Sequence, residues 1–177
     1  FGDIEANSWF SVKPTADSIG AIVGSKSVAS AGTNCTLIAV AIRGAGYESE
    51  WASNFTIGDQ DDHAGFAAAR DEVLGFLNAY IAEKNITGNV KLWLTGYSRA
   101  AATANLVAGE LDGGGVLSGC TYTPSDVYAY TFETPRGTLT GISNSEIYGN
   151  IFNIVNESDP VPKVAPQAWD FTWYGTV

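Results

Sequence analysis

The sequence predicts an α/β fold in which a mostly parallel sheet is flanked by helices. Three observations carry that expectation. Apolar, β-rich runs of strand length stand at 35–42 (CTLIAVAI), 90–94 (VKLWL) and 125–132 (SDVYAYTF). Segments of helical period stand between them, at 61–85 and 99–112, and strands alternating with helices build parallel sheets. Finally, one apolar strand runs straight through a glycine turn into an alanine-rich segment of good helix propensity, VKLWLTGYSRAAATANL over 90–106.

Bulk properties set the frame. With 177 residues, 45% apolar and only 16% charged, the chain supports one domain with a real core and excludes disorder. A net charge of −10 argues against nucleic acid and against electrostatic docking to anionic membranes. No run reaches the roughly 18 apolar residues of a membrane span. The chain starts at Phe1 and contains no methionine, which reads as a processed piece of something longer: a single, incomplete domain over 1–177. One histidine and two cysteines without ligand spacing leave no metal site, and the spacing does not decide whether Cys35 and Cys120 pair. Sequons at Asn34, Asn54, Asn85 and Asn156, with few lysines and many acids, suit an extracellular, secreted protein without requiring one.

In chain order, residues 1–32 carry turn and small residues, and a helix or irregular cover is expected there, with SIGAIVG (18–24) the best helix or strand candidate. Residues 35–42 read as a buried parallel strand. It breaks at Arg43-Gly44-Ala45-Gly46, where α/β proteins turn backbone N–H groups toward a ligand. Over 47–55 a short surface helix would display Tyr47 and Trp51 as a lid or substrate contact; the alternative is that Trp51 packs on the core. Residues 61–85 give the clearest helix. Asp61 and Asp62 favour its start, Phe66, Val73, Leu77 and Ile81 share one face, and Arg70 and Glu83 lie outside. Lys84 suits its end, and Gly88 closes the turn.

The strand at 90–94 then meets Gly96-Tyr97-Ser98-Arg99-Ala100. This is a nucleophile elbow, G-x-S-x-G, with Ala100 in the last glycine's place. A sharp turn needs small residues two before and two after the serine, so that helix and strand can approach. It presents the hydroxyl at the strand's carboxyl end, with helix N–H groups beside it. The alternative is an ordinary N-cap serine after a glycine turn. Asp112-Gly-Gly-Gly115 ends the helix in a flexible loop, 125–132 alternates as a strand does, and 146–155 holds a further strand before Asn156-Glu157-Ser158-Asp159-Pro160.

Four blocks resemble one family, the class 3 (fungal-type) lipases of the α/β-hydrolase fold: AIRGAGYESEW (41–51), HAGFAAARDEV (63–73), LTGYSRAAATANL (94–106), and TFETPRG with NESDPVPKVAP (131–137, 156–166). They stand in the family's order, across roughly 35 to 175. The resemblance implies an α/β-hydrolase-like sheet and a serine esterase or lipase acting on a lipid or other small ester, without cofactor. It implies Ser98 as nucleophile, Asp159 as the acid that orients a histidine, and backbone N–H groups of Ala45 and Arg99 as the oxyanion hole. Ala45 stands where the family commonly has Ser or Thr, Tyr97 where it usually has His, and Arg99 where an apolar residue is usual. Tyr97 joins the lid and substrate set. Arg99 either meets a polar acyl ester or pairs with a surface acid such as Glu133, and the pairing is the expectation.

A base is missing. The only histidine, His63, matches a structural element of the family before a helix, whereas the family's catalytic histidine lies well downstream of the DPVP aspartate. Trp173 falls where some members carry a non-catalytic histidine. The base would then come from a C-terminal segment or a companion chain. The alternative is an inactive hydrolase-fold fragment or a module that binds acyl ligands without turnover.

Overall fold

In the computed structural model, residues 5–9, 19–30, 32–44, 61–139, 145–163 and 170–177 are described. They form strands β1 (Glu5–Trp9), β2 (Gly20–Ser30) and β3 (Thr33–Arg43), helix α1 (Ala64–Glu83), strand β4 (Gly88–Tyr97), helix α2 (Arg99–Asp112), and strands β5 (Cys120–Thr121), β6 (Val127–Phe132) and β7 (Ile151–Ile154). The sheet runs β1-β2-β3-β4-β6-β7, with β5 pairing the start of β4. From β3 to β7 every pairing is parallel; β1–β2 and β2–β3 are antiparallel. The fold is thus the expected α/β arrangement, with an antiparallel extension.

Among the described residues of 1–32 that extension corrects the reading as helix or irregular cover and makes the 18–24 candidate the start of a strand. Ala21 and Val23 point into the core while Ile22 between them is exposed, a period of two that the intervening glycines and serines disguise. Register with β3 is continuous from Gly20 opposite Arg43 to Ser30 opposite Thr33, and Gly32 takes φ 79° in the tight connection. The strand at 35–42 is likewise not buried on both faces: Ile38, Val40 and Ile42 are inside and Ala41 is exposed.

Helix α1 buries Phe66, Ala69, Val73, Leu77, Tyr80 and Ile81, the three-and-four spacing of one apolar face. Each large side chain so buried stabilises by about 1.5–3 kcal/mol. Arg70 is not outside as expected but half-buried, paired with Asp62 at 2.5 Å and Asp71 at 2.9 Å. The helix closes at Asn85, where the expected segment ends, and Gly88 at φ 76° follows in the turn. Asn85 has φ 52°, and the N–H groups of Asn85 and Ile86 return to the carbonyls of Ala82 and Ile81, a double bond pattern that ends many helices in a left-handed residue.

Helix α2 is covered on every side; of its residues only Glu110 is exposed. Its alanines are therefore spacers as much as helix formers. At Gly109 even a methyl is too much, since a Cβ there would stand 2.2 Å from the Tyr174 ring. Both helices pack on the face that carries Val40, Leu92, Leu94, Val127 and Ala129, and this is where the core sits. Cys35 and Cys120 are both free thiols. The loop at 112–115 contains a buried carboxyl: neither oxygen of Asp112 has a hydrogen-bond partner, and burial pushes its pKa up to about 8.

Candidate functional site

The chain passes from β4 to α2 through a single residue. Ser98 has φ 58° and ψ −129°, backbone that a residue with a Cβ adopts only when its surroundings impose it. The surroundings do so from three directions. The Ser98 N–H donates to the Phe132 carbonyl at 2.9 Å, which ties the turn to the end of β6. The Ser98 carbonyl accepts the N–H groups of Ala101 and Ala102 at 2.8 and 3.2 Å, which starts the helix. Gly96 lets that helix fold back over the strand: a Cβ on it would lie 2.3 Å from the Ala100 carbonyl oxygen.

Ser98 holds the N-cap position of α2, yet its side chain makes no capping hydrogen bond. A capping serine sits in extended backbone with Oγ turned to the N2 or N3 amide; neither condition is met. The half-buried side chain stands at the carboxyl end of β4 and the positive end of a fourteen-residue helix.

Gly44 approaches the same turn from β3, where a Cβ would meet the Tyr97 carbonyl oxygen at 3.1 Å. Ala45, Tyr47 and Trp51 lie outside the described residues, as does all of the 47–55 segment read as a surface helix. Arg99 opens α2, and its N–H belongs to the helix-start donors that have no intrahelical acceptor. The expected surface position of its side chain is corrected. Arg99 is 1% exposed, and the Glu133 carboxylate instead accepts the Asn156 N–H at 3.0 and 3.3 Å. The physical reason is that Arg99 starts a helix covered on all faces. Tyr97, by contrast, is 57% exposed.

Asp159 lies in the loop that leaves β7. Its Oδ1 accepts the Val161 N–H at 2.8 Å and its own N–H donates to the Asn156 carbonyl; among the described residues its Oδ2 accepts no hydrogen bond. The loop is pinned by Glu133 on Asn156, by Lys163 Nζ on the Glu157 carbonyl at 2.7 Å, and by the Asn156 side chain on the Ser158 N–H. Because Tyr97, Phe132 and Ile154 are in register across parallel strands, Ser98 and Asp159 emerge from the same carboxyl edge of the sheet. His63 is fully buried and stacks on Phe66 with ring centroids 4.1 Å apart. Trp173 donates from Nε1 to the Thr134 carbonyl at 2.7 Å and carries the Arg136 guanidinium over its ring; burial pushes the Arg136 pKa down.

One supporting group escaped the sequence reading. Asn105 on α2 donates to Asn153 Oδ1 on β7 and to the Tyr174 carbonyl, both at 2.9 Å, and accepts the Tyr174 N–H. Asn153 in turn donates to the Tyr174 and Thr176 carbonyls and accepts from Thr131, which is hydrogen-bonded to Thr134. This buried cluster locks the helix that starts at Ser98 to the strand that leads to Asp159. Its signal was an asparagine on the inward register of an apolar strand and another inside an alanine-rich helix, where a polar group survives burial only with partners.

Three comparisons place these features among known proteins. A family model for class 3 lipases matches residues 39–169. The solved structure of a fungal lipase–inhibitor complex, presented as a model for interfacial activation in lipases, is similar at 21% identity and TM-score 0.67, over 96% of this chain and 63% of that one. The lipase of Rhizomucor miehei in a propeptide complex is similar at 23% identity and TM-score 0.66, over 96% and 53%. The lipase of Rhizopus microsporus var. chinensis is similar at 20% identity and TM-score 0.65, over 96% and 58%. At these identities the likeness is one of fold, and the chain spans little more than half the length of these relatives. No curated protein sequence matches it.

Proposed function

The chain belongs to the class 3 lipase family, and from that premise we propose that it forms the nucleophile and acid part of a serine carboxylic-ester hydrolase. Ser98 Oγ attacks the ester carbonyl, Asp159 orients a histidine that takes the serine proton and returns it to the leaving alcohol, and the N–H groups of Ala45 and Arg99 receive the oxyanion. No cofactor enters this chemistry. The histidine comes from polypeptide outside these 177 residues, a further segment of the parent protein or a companion chain, because His63 is buried in ring stacking. The substrate is a lipid or other small carboxylic ester. An acidic, low-lysine composition is compatible with action outside the cell.

The observation that carries this reading is the strained, non-capping backbone of Ser98 at the carboxyl edge. Strain of this kind costs on the order of 1–3 kcal/mol and persists where function requires the geometry. Treating the native protein with a fluorophosphonate probe and weighing it intact tests the assignment. Labelling of one site, lost in Ser98→Ala while the circular dichroism stays the same, is the expected result. Ester hydrolysis undiminished in Ser98→Ala would overturn it. Folding without labelling or turnover in the native protein would instead favour an acyl-binding module, which the burial of the chain's only histidine already gives some weight.

A further inference from the structure

Two consecutive residues at the end of β6 tie both halves of the site together. The Phe132 carbonyl accepts the Ser98 N–H at 2.9 Å. The next residue, Glu133, donates its own N–H to the Ile154 carbonyl on β7 at 2.9 Å. Both oxygens of its carboxylate accept the Asn156 N–H, at 3.0 and 3.3 Å. Asn156 opens the acid loop: its carbonyl accepts the Asp159 N–H and its side-chain oxygen the Ser158 N–H, each at 3.0 Å. From nucleophile to acid the path therefore runs Ser98, Phe132, Glu133, Asn156, Asp159. Every step in it is a hydrogen bond except the peptide bond between Phe132 and Glu133.

Glu133 is an unusual residue for that place. Its φ is 50°, left-handed backbone in which glycine is at ease, asparagine and aspartate are tolerated, and longer side chains are strained. Aspartate and asparagine are one methylene shorter. What the strained residue adds is a carboxylate seated on the backbone amide that begins the acid loop, and a hydrogen bond to a charged acceptor is about twice as strong as a neutral one. Backbone strain of this kind persists where the surroundings impose it, and it gathers at functional sites.

We infer that Glu133 is a positioning residue, a clamp that sets the separation of Ser98 and Asp159 by holding the Asn156 amide. The inference rests on the reading of those two residues as a hydrolase pair. Its part is indirect. Fixing Asn156 fixes where Asp159 presents Oδ2, which among the described residues accepts no hydrogen bond, and so fixes the histidine that has to stand between that carboxylate and the Ser98 hydroxyl. Catalytic groups must be held within about 0.5 Å of productive geometry, which calls for a fixed tie between the elbow and the acid loop.

Glu133→Gly in the native protein separates positioning from stability, because glycine relieves the left-handed backbone while it deletes the carboxylate. The variant is expected to melt within about 4 °C of the parent. Its kcat on p-nitrophenyl butyrate falls about tenfold at unchanged KM, against the roughly hundredfold of a full 1 Å misplacement. Hydrogen exchange in the 155–163 peptide becomes faster. Glu133→Gln, which keeps an acceptor oxygen at the same reach, holds kcat within about threefold of the parent, its hydrogen bond being neutral and weaker. Parental kcat or unchanged 155–163 exchange in Glu133→Gly overturns the inference. So does a melting temperature that drops far in step with kcat, or a Glu133→Gln variant as slow as Glu133→Gly. Ser98→Ala is scored in parallel. A native protein without turnover, or turnover that survives Ser98→Ala, brings down the hydrolase reading and the clamp with it; turnover that Ser98→Ala abolishes and Glu133→Gly leaves alone overturns only the clamp.

Discussion

At the scale of the residue, two positions concentrate the physics. Gly96 is small because the backbone of Ala100 and Ala101 fills the space where a side chain would begin. Gly96→Ala should cost about 3 kcal/mol, the upper range for forcing volume into a packed core that cannot give, and should remove probe labelling together with stability. Urea denaturation measures the first; a variant as stable as the parent would mean that the turn relaxes freely. Asp112 is the second. Its pKa is raised from 3.8 to about 8 by burial, so the folded chain binds a proton there that the unfolded chain has released. The stabilisation is complete below about pH 4 and is lost as pH rises toward about 8. Unfolding midpoints should fall over that interval by an amount on the order of a few kcal/mol, and Asp112→Asn, which stays neutral, should flatten the slope. An identical slope in the variant would assign the pH dependence elsewhere.

At the scale of the element, α2 shows why propensity alone misleads. Gly109→Ala ought to help the helix by about 1 kcal/mol on intrinsic preference. The methyl would meet the Tyr174 ring at 2.2 Å, a clash worth about 1–3 kcal/mol, so net destabilisation is expected, with faster hydrogen exchange in 170–177. A stabilised variant with unchanged exchange would show that Tyr174 repacks at no cost. The same element explains what was legible in the sequence. Small residues around Ser98 have one steric meaning, so strand, turn and helix could be read directly, as could the apolar face of α1. The end of α1 was legible to within two residues, because asparagine tolerates left-handed backbone nearly as glycine does and can close a helix. β1 and most of β2 escaped because the glycines and serines of β2 mask a period of two and β1 is short and polar. Arg99 escaped because a charge in sequence looks exposed, whereas its place at the start of an enclosed helix buries it.

At the scale of the whole molecule, charge and sheet are separated. None of β2, β3, β4, β6 or β7 contains an aspartate or glutamate, so the acids among the described residues lie on helices, loops and the outermost strand. Parallel pairing joins residues far apart in sequence, Val40 with Leu94 and Ala129 with Ile151, and buries the core on one side only. The described part of the chain is therefore a finished half-sandwich: a sheet, its helices and the edge from which Ser98 and Asp159 project. The Asn105–Asn153–Tyr174 cluster adds a last consequence. By holding the C-terminal residues in place, it lets the Thr176 carbonyl accept the Asn153 N–H at 2.7 Å and the Thr176 N–H reach the Ile151 carbonyl at 2.9 Å. Backbone groups that β7 would otherwise offer to a stranger are already occupied, and an open strand edge is what recruits foreign strands into aggregates. Those few final residues act as a selvedge, finishing the margin of the sheet so that it does not extend into its neighbours.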